Sequence, residues 1–189
     1  MSVNNPIKLS KTLCFILRHR PQALKLTPDE LGYVRLDDLI AAFSEQNKSV
    51  TLQEIMHVVE TDDKKRFGLS DDLSSIRAVQ GHSFPVNEIA FNEEVPPEVL
   101  YHGTASGNLE SIFQEGLTPG SRQFVHLTDH IETARLVGIR YAKKGSLVVL
   151  SIDTQKLLER GYVFYKALNG VWLVEHVPVG CFKIEEKKE

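Results

Sequence analysis

The sequence predicts an α+β protein of two lobes, and three observations carry that prediction. Before residue 86, helical periodicity dominates and gives way to a pair of short strands. Residues 86–98 then loosen into an acidic, proline-bearing segment that includes Val95-Pro96-Pro97. From residue 99 to 189, short strands outnumber helices. The expected organisation is therefore a lobe at 1–85, a linker at 86–98 and a second lobe at 99–189. A chain of 189 residues with 42% apolar content can bury a core in each.

In the first lobe, Leu9, Leu13, Ile16 and Leu17 recur at three- and four-residue spacing, which predicts a helix over Ser10–His19 stopped by Pro21. Gly32 to Arg35 reads as a turn and a short extended piece. Leu36 to Phe43 is a second helix, with Leu36, Leu39, Ile40 and Phe43 on one side. Thr51-Leu52-Gln53-Glu54 is a capping box that opens a third. Arg66 to Leu69 and Ile76 to Val79 read as two strands joined by a Ser-Asp-Asp turn. Three helices followed by a hairpin make a winged-helix pattern. That pattern serves nucleic-acid binding and plain protein modules alike.

In the second lobe, Val99 to His102 is a strand ending at Gly103-Thr104. Leu109, Ile112 and Phe113 mark a short helix closed by Gly116. Phe124 to Leu127 is a strand and Ile131 to Ala142 a helix. Ser146 to Ile152 is a buried strand, followed by a helical turn at Gln155 to Glu159. Tyr162 to Tyr165, Val171 to Val174 and Cys181 to Ile184 read as further strands. Only Met1–Asn5 and the Glu185–Glu189 tail read as disordered.

Charge is evenly balanced overall, with a formal net of −3. Its distribution says more. Before Asp29 the chain carries Lys8, Lys11, Arg18, Arg20 and Lys25 and no carboxylate. Such a patch suits phosphate, although a solvated helix face has the same composition. Two cysteines, Cys14 and Cys181, lie in apolar contexts and predict buried thiols in a reducing cytoplasm. No apolar run of membrane-spanning length and no signal-peptide pattern occurs, so a cytoplasmic protein without membrane association is expected.

Leu17-Arg18-His19-Arg20-Pro21 sets two guanidiniums beside an imidazole. The first residue type forks onto phosphate oxygens, and the second exchanges protons near neutrality. Read alone, the run is more simply a cationic helix end facing its own dipole. The seven histidines are scattered, with no Cys-x-x-Cys or His-x-x-x-His pair, so no metal site is predicted. Walker and Gly-x-Gly-x-x-Gly loops are absent too.

Several motifs together resemble the RNA 2′-phosphotransferase family. They are Arg18-His19 within Ile-Leu-Arg-His-Arg-Pro, Arg66 within Lys-Arg-Phe-Gly-Leu, and Ile76 to Ser83. The second lobe adds Tyr101-His102-Gly103-Thr104, Arg122 with Val125-His126-Leu127-Thr128, and Asn169 to Leu173. They run in the family's order from about residue 7 to 184. Thr128 and Val179 stand where a serine and a second proline are more usual in the family.

The resemblance implies a winged-helix lobe for RNA and an ADP-ribosyltransferase-like lobe for NAD+. The family removes an internal RNA 2′-phosphate of the tRNA splice-junction type. The phosphate attacks NAD+ C1″ and displaces nicotinamide. The ribose 2″-hydroxyl then attacks phosphorus, giving 2′-hydroxyl RNA and ADP-ribose 1″,2″-cyclic phosphate. Carried over by match, Arg18, His19, Arg66 and Arg122 are the catalytic candidates. His102, Gly103, Thr104, His126, Leu127 and Thr128 are the NAD+ candidates. Arg20, Arg77, Gln80, Gly81, His82 and Ser83 are the RNA candidates. NAD+ is a co-substrate, no metal is expected, and a monomer is expected.

The chemistry suits these residue types. A phosphate monoester is mostly dianionic at pH 7 and needs no base to act as a nucleophile. Val171 stands where related ADP-ribosyltransferases often place a carboxylate, which agrees with that. Positioning and charge neutralisation are what remain, and guanidiniums supply both. Two rivals stand beside this reading: an ADP-ribosyltransferase that caps terminal RNA or DNA phosphates, and a winged-helix binding protein without catalysis.

Overall fold

The computed structural model describes residues 5–86 and 92–187, and the chain divides into two compact units, 1–90 and 91–189. The architecture is α+β: six α-helices and ten short strands in antiparallel sheets among the described residues. No helix among them is long and apolar enough to cross a membrane.

The first unit opens with α1 (Pro6–His19). It begins earlier than the apolar spacing predicts. Asn5 Oδ1 accepts from the backbone N–H of Ile7 and Lys8, and Pro6 fills the first turn, where its missing N–H costs nothing. Leu9, Leu13, Ile16 and Leu17 are buried, as their spacing requires. A 3-10 turn follows at Pro21–Leu24. Then come β1 (Val34–Arg35), α2 (Leu36–Glu45) and α3 (Leu52–Glu60). The capping box is complete: Thr51 Oγ1 accepts from Glu54 N–H, and Glu54 accepts from Thr51 N–H. Strands β2 (Phe67–Leu69) and β3 (Ser75–Ala78) form a hairpin, and β1 adds to the other side of β3, giving the order β1-β3-β2. One core joins them, with Leu13, Leu39, Phe43, Ile55 and Ile76 fully enclosed.

The second unit has two sheets. Strand β4 (Asn92–Glu93) lies within the stretch read as linker and pairs with β8 (Tyr165–Lys166). The same stretch is held again where Thr154 Oγ1 donates to Pro97 O. The remainder of that stretch from 87 to 91 lies outside the described residues. One sheet runs β4-β8-β9-β6, with β6 (Val125–Leu127) and β9 (Trp172–Val174); the other places β10 (Phe182–Lys187) beside β7 (Leu147–Asp153) and β7 beside β5 (Val99–Ala105). Strand β5 (Val99–Ala105) does not end at Gly103 but continues through it, paired in full with β7 (Leu147–Asp153).

Gly103 has a packing reason. A Cβ there would sit 1.8 Å from the carbonyl oxygen of Ala134 in α5 (Ile131–Ile139), so only glycine lets the helix lie on the strand. Helix α5 also stops short of Ala142, which belongs to a 3-10 turn.

Helix α4 (Leu109–Glu115) ends at Gly116 with φ +84°, as expected. Helix α6 (Thr154–Glu159) is capped by Asp153. Residues 162–164 are not strand, which begins only at Tyr165; Tyr162 N–H donates to Leu157 O. The acidic tail is structured to Lys187: β10 (Phe182–Lys187) pairs with β7, a strand buried from Val148 to Ile152. Residues 1–4 and 188–189, also read as disordered, lie outside the described residues. Both cysteines are free; Cys181 is buried, whereas Cys14 is only half-buried.

Candidate active-site residues

In the first unit the candidates gather around the C-terminal end of α1. Ser83 N–H donates to Arg18 O at 2.9 Å, and Ser83 Oγ lies 3.1 Å from His19 Nδ1 and 3.3 Å from Arg18 O. A hydroxyl has one proton. It donates that proton to Arg18 O and accepts from His19 Nδ1–H. This relay assigns Nδ1 as the nitrogen that carries the proton in the neutral ring and Nε2 as the acceptor. Ser83, sixty-four residues downstream, thus fixes the ring that the Arg-His pair presents.

Arg18 and Arg66 both act electrostatically on the Cys14 thiol, so the structure brings these two guanidiniums to one neighbourhood. Burial pushes that thiol up; the two arginines pull it down by less. Arg66 is held by Asp62, a residue that the sequence reading missed. The carboxylate accepts from Arg66 N–H at 2.6 Å, Nε at 2.9 Å and Nη2 at 2.5 Å. Burial raises the Asp62 carboxyl, but these bonds outweigh it and hold the group below its usual range. Its signal was the i, i+4 spacing ahead of the basic triplet.

Of the RNA candidates, Arg20 and Ser83 are exposed, whereas Gln80 and His82 are buried. Gly81 adopts φ +88°, the turn that sends Ser83 back to α1. Burial, then Arg18, Arg77 and His19, pull the His82 imidazole down to about 4, so it is neutral near pH 7. Arg77 is engaged within its own unit. Its guanidinium stacks 4.8 Å from the Tyr33 ring and Nη1 donates to Leu31 O.

In the second unit, His102 on β5 and His126 on β6 come together. His102 Nδ1 lies 3.1 Å from His126 O, and His126 Nδ1 lies 3.0 Å from Phe124 O. A nitrogen facing a carbonyl must carry the proton, so each Nε2 is an acceptor in the neutral ring. Burial pulls the His102 imidazole down, more than its bond to His126 O raises it, and Arg122 adds to the depression. That effect places Arg122 in the same electrostatic neighbourhood; its side chain is exposed on the turn closed by Arg122 N–H to Pro119 O.

Thr128 exchanges both backbone bonds with Tyr101, joining this corner to β5. The Thr104 hydroxyl is buried and accepts from Asn108, and Leu127 points into the core. Gly103 faces α5 and not open space. Among the described residues no cluster of His, Cys, Asp or Glu has the makings of a metal site.

In the first unit, the grouping of Arg18, Arg66 and His19 has the chemistry that suits an anionic group and proton exchange. The profile of the RNA 2′-phosphotransferase, Tpt1 / KptA family matches residues 4–176, and the chain belongs to that family. It is similar to the probable RNA 2′-phosphotransferase of Pseudomonas fluorescens, 47% identical with 92% of this chain and 94% of the relative covered. The protein so named from Fusobacterium nucleatum is 41% identical, over 93% of this chain and 97% of its own. That from Escherichia coli is 46% identical, over 90% and 86%.

Proposed function

We propose that this protein is an NAD+-dependent RNA 2′-phosphotransferase. It moves an internal RNA 2′-phosphate, of the tRNA splice-junction type, to NAD+ by way of an ADP-ribosylated RNA. The products are 2′-hydroxyl RNA, nicotinamide and ADP-ribose 1″,2″-cyclic phosphate. The observation that carries this reading is the family match across residues 4–176, which spans Arg18, His19, Arg66, His102 and Arg122 together. The N-terminal unit is taken as a winged-helix lobe for RNA, and the C-terminal unit as an ADP-ribosyltransferase-like lobe. A cytoplasmic monomer is the state in which it works.

The donor sets suit these partners. His102 has Nδ1 committed to a backbone carbonyl, so its Nε2 is an acceptor of the kind that meets a ribose hydroxyl. NAD+, when bound, supplies an electrophilic C1″ and a leaving nicotinamide. Arg18 and Arg66 hold the phosphate, the latter aimed by Asp62; Arg122 supplies the third guanidinium. His19 takes the 2″-hydroxyl proton through Nε2 while Ser83 keeps the ring oriented. No metal is assigned.

Incubation with NAD+ and an internally 2′-phosphorylated oligoribonucleotide tests the proposal. Release of the cyclic phosphate supports it. A persistent ADP-ribosylated end on a terminally phosphorylated strand favours the capping transferase instead. RNA binding with no NAD+ consumption favours a non-catalytic binding protein.

A further inference from the structure

The outer face of α1 carries groups that the proposed reaction does not use. Phe15 is 54% exposed and Ile7 69%, although both belong to a helix whose other face is fully packed. Ile7, Lys11, Phe15 and His19 recur every four residues, so they share one side of the helix. The Phe15 and His19 rings are neighbours, with centroids 6.3 Å apart. Lys8 and Lys11 are exposed beside them, in no ion pair among the described residues. Beneath Ile7 and Lys11 lies a cleft of about 160 Å³ whose walls include Ser10, Val58, Asp62 and Arg66. It therefore opens on the arginine assigned to the phosphate. The one carboxylate in it is already engaged by that arginine.

We propose that this face is a track for the RNA that flanks the 2′-phosphorylated nucleotide. Phe15 stacks on a flanking base, and Lys11, above the cleft, takes a backbone phosphate. Charge selects the occupant: α1 carries no carboxylate, and Asp62 in the cleft is already neutralised by Arg66, so the face presents cations to an acidic polymer. An aromatic ring set among cations is the arrangement that binds single-stranded nucleic acid, because every base offers a face to stack on. Lys11 and His19 are eight residues apart, about 12 Å along the axis. The track therefore runs along the helix from His19 to Lys11, above the cleft that opens on Arg66. Its capture is insensitive to sequence, since stacking and phosphate contacts read no base edge.

The inference rests on RNA being the substrate, and two measurements separate its failure from failure of that reading. The first is binding of an unphosphorylated RNA hexamer, which needs no chemistry. Phe15→Ala weakens it about five- to hundredfold, and Lys11→Ala weakens it and lowers the salt slope by about one. The second is transfer from a 2′-phosphorylated hexamer, the same hexamer with abasic flanks, and a 2′-phosphorylated dinucleotide. Phe15→Ala raises KM for the first alone, with kcat and melting temperature unchanged. Hexamer binding unchanged by both substitutions overturns the track. So does a Phe15→Ala penalty as large on the abasic strand as on the intact one. If the wild type transfers from no 2′-phosphorylated RNA, the functional reading fails while the binding measurement still decides the track.

Discussion

At the residue scale, adjacency and spacing carried different amounts of information. Arg18 and His19 are neighbours in the chain and could be read as a pair directly. Their anchor, Ser83, could be named only through the resemblance, because a contact across sixty-four residues leaves no local pattern. Asp62 left a spacing signal, yet a solvated acidic turn has the same spacing. The resemblance makes His82 an RNA candidate, and the structure buries its imidazole in a neutral state. Two predictions belong here. His19→Ala slows the second chemical step more than the first, so ADP-ribosylated RNA accumulates in a time course. Equal slowing of both steps removes the proton role.

The other prediction concerns acid. The folded His82 takes up its proton near pH 4 and the unfolded one near 6.5, so the unfolded chain binds the extra proton first. Stability is therefore lost as pH falls from about 6.5 to 4, by about 3 kcal/mol in all. Asp62, held below its normal range, adds a loss only at lower pH. Urea unfolding across this range checks the slope, and His82→Gln flattens it.

At the element scale, helices were legible where caps and apolar spacing agreed, as at Thr51 with Glu54. Thr51→Ala is expected to cost about 1 kcal/mol in denaturant unfolding. Strand limits were less legible. Gly103 reads as a stop in sequence because glycine weakens strands, yet β5 passes through it since α5 needs the missing Cβ. Gly103→Ala forces the carbonyl of Ala134 away. It is expected to destabilise the protein by about 3 kcal/mol or more, read as a drop in melting temperature. The pairing of Asn92–Glu93 with Tyr165–Lys166 was hidden for another reason: two-residue strands carry no periodicity, and only tertiary pairing defines them.

At the scale of the whole molecule, the α+β class followed from the change of period along the chain, and the family from motifs spread over both units. No single motif carried that assignment. Each of the arginines, read alone in the sequence, passes for an ordinary cation, and the proposed chemistry asks for guanidiniums to neutralise phosphate. Arg18→Ala and Arg122→Ala, one in each unit, are therefore each expected to slow transfer about a hundredfold to a thousandfold. A binding protein without catalysis would show no such loss for Arg122. The most direct measurement is the mass of an internally 2′-phosphorylated oligoribonucleotide before and after incubation with the protein and NAD+. The account predicts loss of one phosphate from the RNA, with nicotinamide and ADP-ribose 1″,2″-cyclic phosphate released in equal amounts. An RNA of unchanged mass, or one that permanently gains ADP-ribose, would contradict it.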